Sequence, residues 1–478
     1  MKKSEYADYD ALGLKQLLDN GDITAQELNS VALDAIEKLN PTLNFLVELL
    51  PEESRRALVS DNSQFPFSGI PFLMKDSNGM AGQSLQCGMP LLKGLKVKED
   101  LEISLRIKSA GLVTLGGSTI TELIDGSSPL YGPVANPWDL GYSAGFSSSG
   151  SAAAVAAGVV PMAHSSDAAG SIRLPAHCCG VFGFMPSRGR TPVGPGYYGG
   201  RFGSLRHHVI TRSVRDSAAM LDHLSGPEEG ALFHLPAPTR SFVDEMTVAS
   251  GPMKIAFTTT SPSGEPVAPE CIEAVEKAIK LCEEMGHEVE NATPYYDWEV
   301  FCSAVSDQLC FGSDIDIEEI AGQLGREVDD KMMAHSSLLM LEYKRGLSNK
   351  KVSASSNQLH HICADVETFF SDIDILISPV ALTPAPELGL LDSNAPEITS
   401  FSKWMGRILG EFAAFTPIYN FTGQPAMSVP LYHSKQGLPV GVQCAAKIGN
   451  ETALIRLASQ FEKVCPWIDR KPPISIYS

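Results

Sequence analysis

Between Leu140 and Ser187 the chain carries two charged side chains, Asp167 and Arg173, where its overall 19% of charged residues would place about nine. Residues 140–166 have no Asp, Glu, Lys or Arg at all. This stretch constrains the fold more than any other. A membrane span would be charge-free, but the longest apolar part, Ala152–Ala163, is too short to cross a bilayer and contains Pro161. A buried core would also be charge-free, and Ala152–Val160 fits one, as a small-residue helix made for close packing. A plain core does not account for Ser147, Ser148, Ser149, Ser151, Ser165, Ser166 and Ser171, because a buried hydroxyl needs a partner. The stretch reads best as a site assembled from hydroxyls and backbone amides.

The remainder of the 478 residues narrows the function classes. With 44% apolar residues and few charges, the chain lacks the signature of disorder. A formal charge of −19 leaves no basic surface for sequence-independent nucleic-acid binding, so no nucleic-acid partner is expected. The ten cysteines form neither a C-x-x-C pair nor a Cys/His cluster at zinc spacing, so neither a metal nor a cofactor is expected. They read as reduced, buried thiols of a cytoplasmic protein. Met1-Lys2-Lys3 is followed by Glu5, Asp8 and Asp10 rather than by an apolar signal segment, which fits the same compartment.

Organisation follows from periodicity. Thr24-Ala25-Gln26-Glu27 is a capping box, Leu28, Val31, Ala32, Ala35, Ile36 and Leu39 follow at helical spacing, and Asn40-Pro41 is expected to stop that helix. The segment from about 8 to 45 therefore reads as helical. Ile70–Met74 is a short apolar run that reads as a buried strand ending at Lys75-Asp76, and Leu112–Leu115 reads as another. Lys254–Thr258 begins a βαβ-like unit in which Pro269 takes the first position of a helix. Residues from about 297 to 370 read as a helical insertion or lid. Strands are expected again at Ile373–Ile377, Met427–Leu431 and Val440–Cys444. Alternating strands and helices define an α/β fold, expected here as one domain over 1–478.

A serine site needs a base, because a free hydroxyl is a weak nucleophile. His164 and His177 are the nearby histidines, no G-x-S-x-G elbow is present, and each histidine reads better as a satisfied core residue. Lysine is the alternative. Lys75 closes an apolar strand, where desolvation favours the neutral amine. By itself a lysine after a strand is weak evidence.

The pairing comes from a resemblance. Gly145-Phe146-Ser147-Ser148-Ser149-Gly150-Ser151, followed by Asp167-Ala168-Ala169-Gly170-Ser171-Ile172-Arg173-Leu174-Pro175-Ala176, resembles the signature of the amidase signature family. Gly69–Asp76 resembles the family's lysine-bearing strand, and residues 421–426 with 437–443 resemble its closing strands. The resemblance implies a large mixed, twisted sheet covered by helices on both faces. It implies an amide hydrolase working through a serine acyl-enzyme, with Ser171 as nucleophile, Ser147 as the bridging serine after a cis peptide bond, and Lys75 as base. The backbone amides of Ala168, Ala169, Gly170 and Ser171 are the implied oxyanion donors. Ser148, Asp167 and Arg173 are expected to support the loop.

Several positions depart from the pattern. Phe146 stands where the family usually has glycine, Ser149 and Ala169 each replace a glycine, and Met185 replaces a lysine. Phe182–Arg190 and the Asp167–Ser171 variant resemble a subgroup that includes 6-aminohexanoate cyclic-dimer hydrolases. Tyr131, Trp138, Cys302 and Phe311 are candidates for the substrate pocket, with ordinary packing as the competing reading of each. The expected partner is a small-molecule amide, with no membrane, on a monomer or homodimer. Two other readings remain: an amidase-type subunit of a tRNA-dependent amidotransferase, and a non-catalytic protein retaining the fold.

Overall fold

The strands are β1 (Leu46–Leu49), β2 (Pro71–Lys75), β3 (Val113–Ser118), β4 (Ala135–Asn136), β5 (Asp139–Ser143), β6 (Met162–Asp167), β7 (Phe182–Met185), β8 (Arg206–Thr211), β9 (Lys254–Phe257), β10 (Glu288–Asn291), β11 (Ile375–Pro379), β12 (Ala426–His433) and β13 (Pro439–Ala446), the central ones short buried apolar runs such as Ile375–Pro379 and the edge strand β10 mostly polar. Eleven of them build one mixed sheet in the order β1-β3-β2-β6-β8-β7-β12-β13-β11-β9-β10, and β4 pairs with β5 apart from it. The computed structural model describes residues 1–59, 64–77, 79–122, 128–195, 200–248, 251–312 and 316–478. Among these residues no helix is long and apolar enough to cross a membrane.

Period-two alternation assigns the two faces of the sheet. Ile375 and Ile377 join Met427, Val442 and Cys444 under the helices Pro269–Glu284 and Glu451–Val464. Their alternating neighbours Leu376, Ala426 and Ala445 turn to the other side, against Phe301, Val305, Leu359 and Tyr419. A third apolar cluster gathers Phe72, Met74, Val113, Met162 and Val209 with the amino-terminal helices. The sheet is therefore a mixed α/β core with helices on both faces.

The amino-terminal segment forms three helices, Lys3–Asp8, Ala11–Asn20 and Ala25–Leu43. The capping box forms as expected, with the Glu27 amide donating to Thr24 Oγ1 and the Thr24 amide donating to Glu27 Oε2 at 2.9 Å. Asn40-Pro41 does not end that helix. Pro41 sits in its last turn, and the stop comes at Asn44 in the left-handed region, with φ 58°. The helix expected at Ala152–Val160 is displaced to Ser149–Ala156 because Gly158, with φ 76°, breaks it. Over residues 297–370 the chain forms the helices Trp298–Phe311, Ile317–Leu324, His335–Arg345 and Asn349–Phe369.

The arrangement β3-β2-β6 positions the site. These three strands are mutually parallel, so β2 and β6 end on the same edge, with Lys75 closing one and Asp167 the other. Loops at the carboxyl ends of neighbouring parallel strands are where α/β sheets place ligands.

Candidate active site

Lys75 is 1% exposed at the end of β2, and its Nζ reaches across to hydroxyls from two further segments. It lies 2.8 Å from Ser147 Oγ and 2.8 Å from Ser148 Oγ, both in the turn that opens the helix Ser149–Ala156. It also lies 3.0 Å from Ser166 Oγ and 3.3 Å from the Ser166 carbonyl, on β6. The charge-poor stretch thus folds back so that its serines surround a single amine. Ser148 Oγ in turn donates to the Ser166 carbonyl at 3.3 Å.

The turn after β6 is fixed by a separate network. Asp167 and Arg173 are fully buried and paired, with Arg173 Nε 3.0 Å from Asp167 Oδ2. The carboxylate also accepts from the amides of Gly170 at 2.5 Å and Ile172 at 3.1 Å, and from Asn420 Nδ2 at 2.8 Å. Burial acts to raise the Asp167 pKa, but the Arg173 charge and these donors hold the carboxyl below its usual range. Arg173 is satisfied as well, by the Thr416 carbonyl, Gln443 Oε1 and Asn420 Oδ1. Thr416 Oγ1 donates to the Ala169 carbonyl at 2.9 Å. Gly170 has φ 132°, and a Cβ there would lie 2.8 Å from Leu174 Cδ1 and overlap Thr416.

Ser171 follows this glycine, half-buried, and its carbonyl accepts from Ser165 Oγ at 3.4 Å. Its own Oγ makes no hydrogen bond among the described residues, so the structure joins Lys75 to Ser147 but does not bond Ser147 to Ser171. The Gly170 amide is directed to Asp167, which removes it from the expected oxyanion donors. The amides of Ala168, Ala169 and Ser171 have no protein acceptor among the described residues. One further expectation is corrected. The cis peptide bond among the described residues is Gly194–Pro195, and the Phe146–Ser147 bond has the ordinary trans geometry of a non-proline bond. Ser147 reaches Lys75 with that geometry.

Phe146 is 5% exposed and packs on Phe412 with ring centroids 5.2 Å apart. Beside it is a cavity of about 220 Å³, walled by Pro133, Ser143, Gly145, Pro386, Leu388 and Leu391. The proposed pocket residues fare differently. Tyr131 is adjacent to the centre, its hydroxyl donating to Asp76 Oδ2 at 2.6 Å. Burial pushes the Asp76 carboxyl up to about 7, although Tyr131 and the Gln86 amide both donate to it. Cys302 is part-buried against the apolar cluster that contains Phe146 and Leu174, and burial pushes its thiol up to about 12. Trp138 packs edge-on to His433 and donates to the Cys179 carbonyl, and Phe311 is half exposed at a helix end. Sequence reasoning did not single out Asn420, Thr416 or Gln443, which fix the turn from more than 240 positions away. No local pattern marks such contacts.

His177 is the satisfied core histidine the sequence suggests, accepting from the Gly441 amide at Nδ1 and lying 3.0 Å from the Thr383 carbonyl at Nε2. His164 is buried without a protein partner at either ring nitrogen among the described residues. Among those residues, no group of three His, Cys, Asp or Glu side chains could hold a metal ion.

The site therefore joins a buried lysine to a serine-bearing turn at one edge of a mixed sheet. The Amidase family model matches residues 27–455, and the chain belongs to that family. It is 31% identical to 6-aminohexanoate-cyclic-dimer hydrolase from Paenarthrobacter ureafaciens, over 97% of this chain and 96% of that one. The enzyme of the same description from Pseudomonas sp. strain NK87 is 32% identical, again over 97% and 96%. A solved structure of 6-aminohexanoate cyclic dimer hydrolase complexed with substrate superposes with a TM-score of 0.89 at 30% identity, covering 98% of this chain and 99% of that one. The activity is hydrolysis of an amide C–N bond.

Proposed function

We propose that this hydrolase works through a Ser171 acyl-enzyme, with Lys75 as the base and Ser147 carrying the proton between them. The observation that carries the reading is the 2.8 Å contact of Lys75 Nζ with Ser147 Oγ at the shared carboxyl edge of β2 and β6. The hydroxyl hydrogen of Ser148 is spent on the Ser166 carbonyl, so the Ser148 oxygen accepts from the amine. A neutral amine then has its lone pair for the proton of Ser147, which takes its own from Ser171. Attack of Ser171 Oγ on the amide carbon forms the C–O bond and moves the carbonyl electrons to oxygen. The amides of Ala168, Ala169 and Ser171 stabilise that charge. The proton returns through Ser147 to the leaving amine, the C–N bond breaks, and water hydrolyses the acyl-enzyme.

The substrate class in this reading is an aliphatic secondary amide, linear or cyclic, as the similarity to cyclic-dimer hydrolases suggests. The cavity beside Phe146 holds one arm of it, between Pro133, Pro386 and Leu388; neither Tyr131 nor Cys302 lines that cavity. Ten free cysteines support a reducing, cytoplasmic setting.

Labelling of the purified chain with a fluorophosphonate, together with turnover of a panel of aliphatic amides including the 6-aminohexanoate cyclic dimer, tests this. The expected result is a label on Ser171, absent from Ser171→Ala, with turnover lost in the same variant. Labelling elsewhere, or an unlabelled chain with no turnover across the panel, overturns the reading and returns the non-catalytic or partner-dependent alternatives.

A further inference from the structure

Beneath Lys75 lies a pair of histidines that the reaction above does not use. In the β6–β8 ladder Ser166 pairs with His207 and His164 pairs with Val209. Directly paired residues of antiparallel strands share a sheet face, as do residues two apart on one strand. Ser166, His207 and His164 therefore face the same side, the side on which Lys75 Nζ meets Ser166 Oγ at 3.0 Å. The two imidazoles stack with centroids 5.4 Å apart and planes 24° apart. Both are 0% exposed, and none of their four ring nitrogens has a hydrogen-bond partner among the described residues. Buried polar atoms of native proteins are almost always satisfied by protein or by ordered water.

We propose that His164 and His207 are positioning residues for Lys75, two neutral imidazoles that bind water between themselves and the Lys75–Ser166 contact and give the amine a polar floor without charge. The proposal rests on the reading of Lys75 as the base. An apolar floor would drive the lysine further toward the neutral amine and weaken it as a base, and a carboxylate would lock it as ammonium. A hydrated, uncharged floor leaves both forms within reach. Burial and the Lys75 charge both oppose protonation of these rings, with His207 lowered to about 3 and His164 also moved well down.

The other groups around Lys75 leave this role to the pair. On its own strand, Asp76 is engaged by Tyr131 and the Gln86 amide. Strand β3 and the helix Ser149–Ala156 bring no titratable side chain, and the buried face of Ala25–Leu43 brings none. From β6, Asp167 is held by Arg173. From β8, Arg206 is bound by the carbonyls of Gly203, Leu205 and Asn420, and His208 is turned to Ser217 Oγ at 3.0 Å.

The acid limb of kcat/KM against pH reads the proposal. His207→Phe is expected to move that limb about one unit toward lower pH, and His207→Glu about one unit toward higher pH. His207→Gln, polar and neutral, should keep it within about 0.3 unit. Limbs that coincide with wild type in folded Phe and Glu variants overturn the proposal. If those variants do not fold, a high-resolution crystal structure of the wild-type enzyme decides it, with ordered water on the His164 and His207 nitrogens as the expected result and a dry pair as the refutation. Lys75→Ala separates this failure from that of the parent reading. Loss of Ser171 labelling there, with unmoved histidine limbs, removes the positioning role alone, whereas wild-type labelling removes the base and its floor together.

Discussion

Ser166 and Asp167 are neighbours on β6, yet each belongs to a buried polar cluster of opposite design. Around Asp167 the charges are explicit and cancelled: carboxylate against guanidinium, with backbone amides, Asn420, Gln443 and the Thr416 carbonyl meeting what remains. Around Ser166 the cluster is an amine among hydroxyls and a carbonyl. In the first cluster every proton has a fixed owner. In the second the amine meets three hydroxyls and a carbonyl, and the proposed proton transfer runs along its contact with Ser147. The difference sets two kinds of buried cluster side by side: a buried ion pair with complete partners holds a turn rigid, and the amine among hydroxyls is the base of the proposed reaction.

Lys75→Met is the sharpest break of the second cluster. It removes the amine and keeps most of the volume, so the barrier to acylation should rise by about 4 kcal/mol or more, a loss of roughly a thousandfold or greater in kcat/KM. The urea midpoint should stay near the wild-type value, because no buried charge is left behind. Near-normal turnover would show that the cluster is not the seat of base catalysis. Unfolding of the variant would show that it is a second scaffold.

Arg173→Met breaks the first cluster and should give the reverse pattern in stability. It strands the Asp167 carboxylate in a site where neither atom is exposed, so destabilisation of about 3–5 kcal/mol is expected in urea unfolding. Adding Asp167→Asn to it should recover part of that loss, since the double variant no longer buries an unpaired charge. An additive double variant would mean that the pair contributes nothing as a pair.

The fold class and the strand bearing Lys75 were legible because their signals are local: an apolar run of five residues, a charge gap and a capping box. The pairing of Lys75 with Ser147 came from the resemblance to the amidase signature family and from no local pattern. The partners that hold the turn were not, because Asn420, Thr416 and Gln443 reach Arg173 through tertiary packing that no short pattern encodes. The helix expected at Ala152–Val160 was misplaced for a similar reason. Its composition was read correctly, but Gly158 in the left-handed region sets its end, and the serine turn around Lys75 sets its start. His164 was read as a satisfied core residue from its surroundings, and the missing partners become visible only when the β6–β8 register brings His207 alongside it.

Gly170 lies between the two clusters, and its substitution is expected to cost less stability than breaking the Asp167–Arg173 pair. Its φ of 132° is open to glycine and costs an L-residue on the order of 1–3 kcal/mol, and the added methyl would press on Leu174 and Thr416. Gly170→Ala should therefore lower the urea midpoint by about that amount. Its effect on activity depends on which cluster controls the turn. The Gly170 amide is bound by Asp167, and Ser171 is the next residue, so strain at 170 should displace the Ser171 hydroxyl and the free amides of Ala168 and Ala169 together. The expected outcome is a fall in kcat of about tenfold to a hundredfold with little change in KM, because the oxyanion donors act on the transition state more than on bound substrate. A rise in KM at constant kcat would place Gly170 on the substrate-binding wall and would move the boundary between scaffold and chemistry one residue further along the turn.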